Sequence, residues 1–257
     1  MSINTRTVEH EQDGKQFEGR LVFDDDLPQP QPCVLVFHGA EGLSEAQEGV
    51  ASILTEWGYA GFAVDLFGKG VRGKTLEECL AQMAPLMENR AMLRERLLHT
   101  IEVVRRLPEV DSNNLAAIGF CFGGLCVLDL ARAGAPLKGV ASFHGLFKPS
   151  GLPFITTSMP KVIAFHGWDD PWVPPSDVVE LGAEFTAAGL DWQLHAYGGT
   201  MHAFMAESAD NPERGILYNA RSAGRAWESL RRFLAETLSE RAEDPPRFGV
   251  VPQLTKR

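Results

Sequence analysis

Ile118-Gly119-Phe120-Cys121-Phe122-Gly123-Gly124 carries the strongest structural signal in the chain. It follows a short, continuously apolar run at 115–118 and opens a segment with helical spacing at 123–133. A G-x-Cys-x-G pattern at such a junction is that of a nucleophile elbow, where a sharp strand-to-helix turn lifts a reactive side chain out of the sheet. The turn needs small residues two before and two after the nucleophile, and Gly119 and Gly123 occupy those places. The helix that begins there points its first amides and its positive dipole end at the sulfur, which favours the nucleophilic thiolate. Two other readings fit the same residues. Cys121 could be a small buried side chain with the glycines serving close packing. The segment could also be a dinucleotide loop, although G-x-x-x-G-G is not the G-x-G-x-x-G spacing and several strands precede it.

Outward from the elbow, short β-rich apolar runs lie at 20–23, 33–37, 60–64, 139–143, 161–165 and 191–197, alternating with helical patterns at 45–57, 75–106, 176–188 and 216–237. Alternation of this kind predicts an α/β fold with a mostly parallel central sheet and helices on both faces. Val34-Leu35-Val36-Phe37 and Ala116-Ala117-Ile118 are apolar without a break, as strands covered on both faces must be, so they belong at the sheet centre. Pro85 should kink or split the long helical stretch, because an interior proline loses a backbone donor and clashes one turn back. No Pro-, Gly- or Ser-rich linker interrupts the chain, which predicts one domain over 1–240. The segment 241–257, with consecutive prolines and no helical pattern, reads as an extended or mobile tail.

Composition narrows the function. Of 257 residues, 44% are apolar and 23% charged, an ordinary globular balance for a chain that should bury roughly three-quarters of its surface. The formal charge of −10 repels a phosphate backbone and no basic run offsets it, which argues against nucleic acid. Apolar runs are too short for a membrane span, and the N-terminal sequence lacks a targeting pattern. A cytoplasmic protein is expected, with Cys33, Cys79, Cys121 and Cys126 as free thiols and no metal-ligand pairing among them.

A thiolate nucleophile needs a base, and the base an orienting acid. After the strand at 161–165 comes His166-Gly167-Trp168-Asp169-Asp170-Pro171-Trp172-Val173-Pro174, where Asp170 is favoured over Asp169 because the prolines that follow fix its loop. After the strand at 191–197 comes Gly198-Gly199-Thr200-Met201-His202-Ala203-Phe204, which places His202 on a glycine-rich loop. Cys121, Asp170 and His202 thus follow three strands in the order nucleophile, acid, base. His10 and His99 lie off this pattern, His195 falls inside a strand, and His38, His144 and His166, each before a glycine at a strand end, read as turn residues. The backbone amides of Ala40 and Phe122 are the expected oxyanion donors.

The segments around Cys121, Asp170 to Pro174 and His202 to Phe204 resemble the dienelactone hydrolase family, also called carboxymethylenebutenolidases, of the α/β-hydrolase fold. Gly58-Tyr59-Ala60, Asp65-Leu66-Phe67-Gly68 and Tyr218-Asn219-Ala220 extend the likeness from about residue 15 to 240. A cysteine in the elbow is its most specific mark. The resemblance implies a Cys121, Asp170, His202 triad hydrolysing an ester or lactone through a thioester acyl-enzyme. A hydrolase without cofactor or metal is expected, as a monomer or homodimer. It also implies a glutamate near the elbow, at a place where Gly39 stands here and Glu41 lies two residues on. The arginine that would hold a substrate carboxylate is replaced by Ala206, leaving Arg72 or Arg90 as substitutes. Glu41, Trp168, Trp172 and Phe204 are the candidate substrate-binding side chains, with Met205 beside them. Two rival functions remain: a binding protein that keeps the fold without turnover, and a thiol redox protein using Cys121 and Cys126.

Overall fold

The computed structural model describes residues 2–238, so the tail at 241–257 lies outside the described residues. Its frame is an eight-stranded sheet. In chain order the strands are β1 (Ile3–Gln12), β2 (Lys15–Asp24), β3 (Gln31–Phe37), β4 (Ala60–Val64), β5 (Val110–Phe120), β6 (Gly139–Phe143), β7 (Lys161–Gly167) and β8 (Trp192–Tyr197). They lie side by side in the order β1-β2-β4-β3-β5-β6-β7-β8. From β4 to β8 every pair is parallel, while β1 and β2 form an antiparallel hairpin at one edge.

The central position of β3 and β5 follows from their side chains. In β3, Cys33, Leu35 and Phe37 point into one core layer and Val34 and Val36 into the other; in β5, Leu115 and Ala117 oppose Ala116 and Ile118 in the same way. A strand with both faces apolar must be covered twice. Helices α1 (Glu45–Glu56) and α6 (Ala220–Leu238) cover one face through Ala51, Leu54, Ala226, Leu230 and Phe233. Helices α3 (Arg90–Arg105), α4 (Phe122–Arg132) and α5 (Pro175–Ala188) cover the other, through Leu93, Leu97, Leu125, Leu128 and Phe185 among others. Each fully buried Leu or Phe contributes about 1.5 to 3 kcal/mol relative to exposure. Every residue of α4 is buried, Asp129 and Arg132 included.

Three elements depart from the sequence reading. Strand β1 was not expected: its alternation is largely of charged and polar residues because it is an edge strand, with Val8 its only buried apolar side chain. The two-residue Asp13-Gly14 turn, with φ of 51° and 77°, closes its hairpin with β2 and is the signal that marks it. The 75–106 stretch is two helices, α2 (Leu76–Glu88) and α3, yet the break falls at Asn89 rather than Pro85. Asn89 ends α2 and its side chain accepts from the Met92 amide at 3.0 Å, capping α3. Finally, 216–237 does not begin as helix: Ile216–Leu217 is a two-residue strand paired with Asp210–Asn211, and α6 starts at Ala220.

Candidate active site

Cys121 sits between the end of β5 and the start of α4 with φ 53° and ψ −112°, a conformation strained for any residue with a Cβ. Its amide donates to the Phe143 carbonyl at 3.0 Å, and its carbonyl accepts from Leu125 at 3.2 Å. The flanking glycines are required by contact. A Cβ on Gly119 would overlap the Gly123 carbonyl, and one on Gly123 would overlap the Phe37 carbonyl. Among the described non-glycine residues, positive φ occurs at Asp13 of the hairpin turn and at Cys121, His144 and Ala203. The last three lie in the loops after β5, β6 and β8, so the strain gathers at one edge of the sheet.

His202 and Asp170 meet there. The His202 Nδ1–H donates to Asp170 Oδ2 at 2.7 Å, and the two side chains are 2% and 0% exposed. Asp170 is held in turn by the Trp172 amide, which donates to Oδ1 at 2.8 Å. His202 is fixed through its backbone: its amide donates to the Gly215 carbonyl at 2.8 Å and its carbonyl accepts from Leu217 at 3.1 Å. His202 Nε2 is buried and has no hydrogen-bond partner of standard geometry. Burial works against the imidazolium, but the hydrogen bond to Asp170 and the nearby Cys121 sulfur outweigh it and push the His202 pKa up to about 9.

The three histidines read as turn residues are buried, His38 and His144 just past their strand ends. His38 donates from Nδ1 to the Gly39 carbonyl at 2.6 Å and accepts at Nε2 from Leu66 at 3.1 Å, tying the loop after β3 to the loop after β4. His166 is part of β7, and His144 packs edge-on to His202 with ring centroids 5.1 Å apart. Neither has a hydrogen bond to its ring nitrogens, and burial pushes the pKa of both down, so they stand as neutral aromatic spacers. Their shared place, the C-terminal end of a parallel strand, is the signal that marks them as site neighbours.

The start of α4 abuts the end of β3: a Cβ on Gly123 would overlap the Phe37 and His38 carbonyls. Phe122 is the first residue of α4, so its amide has no acceptor within the helix. Glu41 folds back over the loop after β3: Oε1 accepts from the Gly39 amide and from Gln47, both at 3.3 Å, and Oε2 lies 2.5 Å from where a Gly39 Cβ would stand.

Trp168 and Trp172 are exposed on the loop after β7, whereas Phe204 is fully buried, edge-on to His144 and Tyr197. The two arginines considered as carboxylate anchors are already paired. Arg90 makes a two-pronged contact with buried Asp129 at 2.7 and 2.8 Å, and Arg72 donates to the Val71 carbonyl at 2.7 Å and to Glu18 at 3.3 Å. Cys126 is fully buried within α4, where burial raises its thiol pKa, so pairing it with Cys121 would require unwinding the helix. No group of three or more His, Cys, Asp or Glu residues suited to a metal ion occurs among the described residues.

The model of the dienelactone hydrolase family matches residues 17–238. The chain belongs to this family. It is accordingly a dienelactone hydrolase-like enzyme, a hydrolase of ester or lactone bonds on a mostly parallel α/β-hydrolase sheet. Similar solved structures include m3DLH, 32% identical with a TM-score of 0.85, covering 93% of this chain and 100% of that one. Another is the dienelactone hydrolase-like promiscuous phosphotriesterase P91 from metagenomic libraries, 29% identical with a TM-score of 0.86 and the same coverage. An uncharacterized protein of Caenorhabditis elegans is 33% identical over 150 residues, which are 57% of this chain and 95% of the relative. No helix among the described residues is long and apolar enough to cross a membrane.

Proposed function

We propose that this dienelactone hydrolase-like enzyme cleaves a neutral carboxylic ester or lactone through a thioester on Cys121. The reading rests above all on the buried Asp170–His202 pair with Nε2 left uncommitted beside the strained Cys121. Cys121 Sγ attacks the carbonyl carbon, and the proton it gives up resides on His202 Nε2. The Ala40 and Phe122 amides receive the oxyanion, each worth about 2.7 to 4 kcal/mol in the transition state. His202 then protonates the leaving alkoxide as the tetrahedral intermediate collapses to the thioester. A water, deprotonated by the same Nε2, attacks the thioester, and the thiol and a carboxylic acid are released. Asp170 keeps Nδ1–H pointed away from the sulfur so that Nε2 faces it.

Neutral substrates are favoured because Ala206 stands where the family's arginine would, and Arg72 and Arg90 are committed elsewhere. Trp168 offers an apolar rim for the acyl or alcohol group, and the Glu41 carboxylate beside Gly39 would repel an anion. We place the activity in the cytoplasm, where the four free cysteines suit a reducing compartment, and in a monomer or homodimer.

The test is wild type and Cys121→Ala against p-nitrophenyl esters, neutral lactones and anionic dienelactones, with acyl-enzyme trapping by mass spectrometry. A neutral phosphotriester belongs in the same panel, since the P91 neighbour is a promiscuous phosphotriesterase. Turnover lost in the variant, an acyl adduct on Cys121 and preference for neutral substrates are expected. Activity surviving Cys121→Ala would overturn the nucleophile, and a preference for dienelactone would overturn the substrate class.

A further inference from the structure

Trp172 touches both members of the His202–Asp170 pair and is itself anchored to a third segment. Its backbone amide donates to Asp170 Oδ1 at 2.8 Å, beside the oxygen that receives His202. Its indole lies face-on against the His202 imidazole, with ring centroids 4.5 Å apart and planes inclined by 24°. Its Nε1–H donates to the Arg214 carbonyl at 3.1 Å, which anchors it to the segment that also holds the His202 backbone. A Cβ on Gly215, where φ is 73°, would overlap the Pro171 ring, so the two loops pack with no space between them. Trp172 is 39% exposed, while the His202 against which its indole stacks is buried.

We propose that Trp172 is a positioning residue for the reaction, holding the His202 ring in its working orientation and favouring the imidazolium through its π face. The inference builds on the reading of His202 as the base. Rotation of the imidazole about its Cβ–Cγ bond would break the Asp170 contact and swing Nε2 away from Cys121; the stacked indole blocks that rotation on one side. When the ring takes a proton, its charge lies over the electron-rich indole face, an attraction strongest for tryptophan among the aromatic residues. The other titratable groups around His202 are Asp170 and the Cys121 sulfur, which favour the charge, and His144 and His166, which burial keeps from charging. Trp172 is the aromatic side chain that acts on both the orientation and the charge.

The experiment compares wild type, Trp172→Phe and Trp172→Leu in two independent readouts. The first is the titration of the His202 ring by NMR on histidine-labelled protein, which needs no substrate. Trp172→Leu should lower the His202 midpoint by about 0.5 to 1 pH unit, and Trp172→Phe, which keeps a ring face, by less than half of that. The second is kcat and KM for a p-nitrophenyl ester across pH: Trp172→Leu should lose about tenfold in kcat with KM changed less than about twofold, and Trp172→Phe should recover most of it. A His202 midpoint unmoved in Trp172→Leu would overturn the inference, as would a rise in KM at unchanged kcat, which would make Trp172 a substrate wall. Absence of ester turnover in wild type would defeat the hydrolytic reading alone, because the NMR titration would still report the stack. Should Trp172→Leu not fold, the Trp172→Phe midpoint and kcat decide: both must shift in the stated direction.

Discussion

Replacing Cys121 by glycine should leave the protein more stable than replacing it by alanine. Both variants remove the sulfur, but alanine keeps the Cβ that makes φ 53°, ψ −112° unfavourable, and glycine does not. Such a conformation stores on the order of 1 to 3 kcal/mol. Against this, glycine gives the unfolded chain more freedom, which opposes folding by about 0.4 to 1 kcal/mol. The difference should favour Cys121→Gly by about 1 to 2 kcal/mol, or about 2 to 6 °C in Tm for a protein of this size. The backbone cannot relax to escape the strain, because the amide bond to Phe143, the Leu125 bond back to Cys121 and the tight Gly119–Gly123 contact hold it. Equilibrium urea denaturation followed by circular dichroism, with calorimetric Tm, would measure the difference. An internal control reverses the sign: at Cys126, buried inside α4, alanine should exceed glycine by about 1 kcal/mol. Equal stability of Cys121→Gly and Cys121→Ala, or an advantage for alanine, would refute the argument that the elbow is held in a strained state by its surroundings.

Other expectations concern the frame of the site. The His202 pKa is raised to about 9 from an ordinary value of 6.5, so its contribution to stability is full below about pH 6.5 and is lost as pH rises through about 9. Asp170→Asn should remove most of that dependence, giving a smaller loss of unfolding free energy than wild type between about pH 6 and about pH 10 in urea titrations. Gly119→Ala forces a Cβ into the Gly123 backbone, which has no side chain to move aside; a loss of about 1 to 3 kcal/mol and a fall in ester turnover are expected, checked by denaturation and kcat. Arg132 bridges Asp129 at 3.1 Å and Glu184 at 2.7 Å while only 3% exposed, so Arg132→Met should destabilise by about 3 kcal/mol in denaturant, with turnover retained under native conditions.

The sequence marks the site more fully than it marks the frame. Cys121, Asp170 and His202 stand out as candidates by residue type, a neighbouring glycine or proline, and a place just after an apolar run, and the structure brings Asp170 and His202 into direct contact. The hairpin strand β1 carried too little apolar alternation to be seen, because an edge strand buries few side chains. A histidine before a glycine has the local appearance of a turn, which hides the burial of His144 and His166; that burial comes with Phe204 and Phe147, brought in from other loops. Arg72 and Arg90 looked available because a sequence does not display their partners Glu18 and Asp129.

Local patterns determined what local physics controls: the parallel sheet, from runs apolar on both faces, and the elbow, from glycines that a sharp turn demands. Tertiary structure alone decided which groups meet across the sheet edge. Residues separated by dozens of positions, such as Trp172 and His202 or Asp170 and His202, come together only when parallel strands align their ends. Contact distance, burial and the protonation of His202 depend on that convergence, and no periodicity along the chain encodes it.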